Sequence, residues 1–129
     1  AGNDALEARQ RILADLARIG QPSASVTAVA QAWHDYGAED VFEWLLTLFT
    51  SMVRLKILGW QAPHQPAALN RDLQRITNEL NLAELVGCYD RALGAYRSLI
   101  GPYNLNKMSL LEEFIVNWQT MNRETGGRR

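Results

Sequence analysis

The stretch AEDVFEWLLTLFTSMVRLKIL, residues 38–58, decides how the rest of the chain is read. Val41, Phe42, Trp44, Leu45, Leu46, Leu48, Phe49, Met52, Val53, Leu55 and Ile57 do not alternate as a strand would. They recur at spacings of three and four and cover most of a helical circumference. A helix apolar nearly all round is buried among other helices. Glu43, Arg54 and Lys56 interrupt the run, and a membrane span needs about 20 mostly apolar residues without such charges. Glu39 and Asp40 lie at its start, where negative charge complements the helix macrodipole, and Gly59 closes it.

The segments on either side supply helices to pack around it. From Asp4 to Ile19, Leu6, Ile12, Leu13, Leu16 and Ile19 fall near one stripe, and Gly20 and Pro22 end the helix. Ser23 or Ser25 can cap a short helix that runs to Tyr36 and stops at Gly37. The clearest loop is WQAPHQP, residues 60–66, with Pro66 suited to the first turn of the next helix. Leu69, Leu73, Ile76 and Leu80 form the stripe of that helix, which Asn81 interrupts. A further helix spans Leu82 to Ile100, with Gly87 and Gly94 inside it as points of close helix packing, and Gly101-Pro102 ends it. NLNKMSLLEEFIVNWQ, residues 104–119, begins the last helix. Two caps compete there: Asn106, and Ser109 in a capping-box spacing with Glu112. The expected fold is all-α, a single bundle of about six helices.

A chain of 129 residues can bury enough apolar surface to fold as one domain without disulfides or metal. Lysine plus arginine number 13 against 14 acidic residues. That balance argues against broad nucleic-acid binding, which needs a concentrated basic surface. A lone cysteine, Cys88, excludes an internal disulfide and fits a reducing compartment. Its simplest reading is a small buried residue; a nucleophile would need a histidine beside it in space. The polar, charged start of the sequence is not a secretory signal.

Catalytic and cofactor motifs are missing. There is no GxxxxGK[ST], GxGxxG or GxSxG. His34 and His64 have no second histidine or cysteine at ligand spacing, so no metal is expected. Glu39-Asp40 and Glu112-Glu113 suit helix N-termini better than acid–base chemistry. Arg71 and Arg75 read as a solvated helix face, with Asp72 and Arg75 paired at i, i+3. Trp118 and Met121 have two readings, core filling or partner contact, since interfaces favour both residue types.

LNRDLQRITNEL, residues 69–80, and ELVGCYDRALGAYRSLIGPYNLNKMSLLEEFIVNWQ, residues 84–119, resemble the C-terminal region of the delta-prime subunit of bacterial DNA polymerase III. The matching points are Asn70-Arg71-Asp72, Arg97-x-Leu99, the Asn104-x-Asn106 turn, Leu110-Leu111-x-Glu113 and Trp118. EARQRILADLARI and WLLTLFTSMVRLKILG agree in order and length with the first half of that region. The resemblance implies a clamp loader, whose subunits carry an ATPase-type module followed by a helical collar domain. The collars associate in a ring that loads the sliding clamp onto primed DNA during replication. Residues 1–129 would be the collar alone, with the ATPase-like module absent from this chain. The resemblance further implies no catalysis by this domain, although the family belongs to the DNA-directed DNA polymerase holoenzyme, a nucleotidyltransferase complex. It implies no cofactor, delta and gamma/tau subunits as partners, DNA contact only through the assembly, no membrane, and the bacterial cytoplasm. Trp118 and Met121 are the candidate partner contacts on this reading. The rival is a small-molecule-binding helical domain of a bacterial regulator, whose bundle would enclose an apolar pocket.

Overall fold

The helical periodicities become six helices in the computed structural model: α1 Gly2–Ile19, α2 Val26–Tyr36, α3 Ala38–Leu58, α4 Ala67–Glu79, α5 Leu82–Ile100 and α6 Lys107–Gly127. The structure describes residues 2–19, 25–59, 67–102 and 106–127, and no strand occurs among them. The protein is an all-α single bundle, as the sequence implies. The expectations for Trp60, His64, Pro66 and Asn104 lie outside the described residues.

Helix α3 is the hub. It packs most extensively on α5 and also meets α1, α2, α4 and α6. Val41, Phe42, Leu45, Phe49 and Met52 lose all contact with solvent. Burial is not uniform around this helix. Trp44, Leu46, Leu48, Val53 and Leu55 are half-buried, and in its last turn Ile57 and Leu58 are 63% and 69% exposed. The apolar run is therefore longer than the core that receives it.

Phe114 of α6 stands at the centre of an aromatic cluster. Its ring centroid lies 5.9 Å from Phe42 in an edge-on arrangement, 6.2 Å from Phe49 and 6.5 Å from Trp33. Phe49 also meets Trp118 at 5.9 Å. Offset and edge-to-face rings each add about 0.5–1.5 kcal/mol beyond the area they bury. The cluster joins α2, α3 and α6.

Local signals settle the helix starts. Ser25 caps α2, its Oγ accepting from the Ala28 amide at 3.2 Å. Asn81 is a full capping box: its Oδ1 accepts from the Glu84 amide at 2.8 Å, and Glu84 Oε1 accepts from the Asn81 amide at 3.0 Å. What read as an interruption is thus the start signal of α5. Between the two candidate caps of α6, Asn106 prevails, its Oδ1 accepting from the Ser109 amide at 3.1 Å. Ser109 sits inside the first turn. Gly37 alone joins α2 to α3 at φ +102°, a conformation that L side chains rarely adopt.

Polar side chains, some buried and some at the surface, tie the helices in pairs. Asp15 on α1 is buried, accepting from Trp33 Nε1 at 3.0 Å and from Arg18 at 2.7 Å. Lys56 Nζ donates to the Thr77 carbonyl at 2.9 Å, joining the end of α3 to α4. The C-terminal carbonyls of α1 have no partner within their own helix, and side chains from distant helices take them. Trp118 Nε1 donates to the Leu16 carbonyl at 2.9 Å, Gln119 Nε2 to the Ile19 carbonyl at 3.3 Å, and Arg75 to the Ala17 carbonyl. Arg75 is exposed, as a solvated helix face implies, and its guanidinium bridges α4 to α1.

The two glycines of α5 correct another expectation. A Cβ built at Gly87 or Gly94 meets nothing within 4 Å among the described residues, so neither marks a close helix approach. Gly94→Ala should therefore raise stability by about 0.4–1 kcal/mol, by restricting the unfolded chain and improving helix propensity. Chemical denaturation reads this directly; a loss of stability would reveal a packing constraint at Gly94.

Candidate partner-binding surface

Two antiparallel helices build an exposed apolar face. The end of α3 lies beside the end of α4 through Lys56 and Thr77, and α5 starts soon after, at Leu82. Helix α5 therefore runs back along α3. Thr50 and Val53 of α3 line one shallow open cavity of about 310 Å³ together with Val86 and Tyr89 of α5. Helical spacing extends both rows: Ile57 lies one turn beyond Val53, and Leu82 one turn before Val86. Ile57, Leu82 and Val86 are all exposed, Val86 at 43%. The inward sides of the same two helices bury Phe49, Met52, Leu85 and Cys88. Because both faces of the α3–α5 pair are apolar, the pair has more apolar surface than the bundle can cover.

A second groove, of about 360 Å³, opens between α5 and α6. Ala95, Leu110 and Phe114 line it together with Arg91, Ser98, Glu113 and Asn117. Its walls are more polar than the α3–α5 face.

Trp118, one of two candidate contact residues in α6, is 1% exposed and holds α1 through its indole N–H. It belongs to the core of the chain as it stands. Met121 is half-buried, its Sδ 3.7 Å from Cys88 Sγ. A charge placed at Met121 would therefore meet a buried thiol, so such a variant would not test partner contact alone. The α3–α5 face was not legible as a contact surface, because periodicity shows how apolar a helix is but not which side its neighbours leave open.

Cys88 is buried, and burial pushes its thiol from an ordinary 9.0 up to about 12, with Arg91 pulling it down and Glu84 raising it. At neutral pH it stays protonated and is a poor nucleophile. A thiol reagent at pH 8 should label native Cys88 far more slowly than denatured Cys88. The unfolded chain also ionises first as pH rises, so stability should be full below about 9 and fall towards about 12. Rapid labelling under native conditions would contradict the buried placement.

His34 is exposed. No group of three or more His, Cys, Asp or Glu side chains that could hold a metal ion occurs among the described residues. No described helix is long and apolar enough to cross a membrane.

Residues 3–120 match the family model described as DNA polymerase III, delta subunit, C terminal. The chain belongs to this family. The match runs from the start of α1 into α6 and includes both rows of the α3–α5 face. It agrees with the clamp-loader resemblance and makes this delta-type C-terminal domain a component of the DNA polymerase III holoenzyme. No match was found among curated proteins or among solved structures.

Proposed function

We propose that this delta-family C-terminal domain is a collar. On this reading it has no catalytic activity, and it joins its subunit to the neighbouring delta and gamma/tau subunits in the ring that loads the sliding clamp in the bacterial cytoplasm. The observation that carries this reading is the α3–α5 face: apolar side chains on two packed helices, left exposed by the bundle's own packing. Subunit interfaces have apolar centres depleted of charge, and Val53, Ile57, Leu82 and Val86 supply such an apolar strip, with exposed Arg54 at its edge. Within the family, the Asn104-x-Asn106 sequence and its leucine-rich sequel favour the delta-prime position. Trp118 serves this function by fixing α6, and Met121, still partly open, stands at the rim of a contact from α6.

Val86→Asp in the full-length subunit tests the surface. The side chain is exposed, so the melting temperature should stay within a degree or two, while incorporation into a reconstituted clamp loader should fall at least tenfold. A charge at the centre of an apolar contact is desolvated without a partner. Normal incorporation at normal stability would remove this face from the ring. Reconstitution lacking either delta or delta-prime tests the assignment, because only the matching vacancy should be filled. The rival regulator reading predicts a ligand-dependent rise in melting temperature and no co-assembly.

A further inference from the structure

We draw no further inference here: the strongest candidate, the half-open groove between α5 and α6 lined by Ala95, Leu110, Phe114, Arg91 and Glu113, carries nothing because nothing in the structure shows what covers it.

Discussion

Phe49→Ala is expected to destabilise the domain by about 3–5 kcal/mol, the range for removing a large aromatic ring from a closed core. Phe49 has no solvent exposure and its ring packs, tilted, against both Phe114 and Trp118, so its loss would open a void between α3 and α6. Backbone relaxation could fill little of that void, because α3 is held on several sides at once. Against a typical total stability of about 5–15 kcal/mol, such a loss would leave a substantial unfolded fraction on mild heating. The measurement is urea denaturation, with the midpoint shifted and the slope kept. A cost below about 1 kcal/mol would mean that the core closes around the missing ring.

Trp118→Ala should cost about as much, 3–5 kcal/mol, but for two separable reasons. One is lost volume beside Phe49; the other is the Leu16 carbonyl, left without its indole donor. Trp118→Phe separates them. It keeps most of the ring and loses the donor, and should cost about 1–3 kcal/mol, the usual penalty for a buried polar group without a partner. If Trp118 were chiefly a partner contact, both variants would leave the isolated domain as stable as the parent and would weaken only assembly.

The helices themselves were legible because each carries its own periodic stripe, and stripe and capping residue are local properties. Ser25 and the breaks at Gly37 and Gly59 could be read for that reason. The capping box of Asn81 and Glu84 was present in the sequence but obscured, since an asparagine between two apolar helical runs reads equally as a break within one helix. Arg75, Asp15 and Gln119 could not be placed from the sequence, because their partners Ala17, Trp33 and Ile19 are far away along the chain. The candidate surface was hidden for a related reason. Whether Val86 is inside or outside depends on how many neighbours its helix has, and that is a property of the assembled bundle.

The side chains that close the carboxyl end of α1 come from Arg75, Trp118 and Gln119, in α4 and in the last helix. During synthesis the first helix therefore emerges ahead of all three donors: Arg75 follows with α4, and Trp118 and Gln119 only with the last helix. A nascent chain stopped before Trp118 would hold the Arg75 contact at Ala17 but lack the donors to the Leu16 and Ile19 carbonyls. The carboxyl end of α1 is thus closed in two instalments, and the second waits for the last helix to be translated.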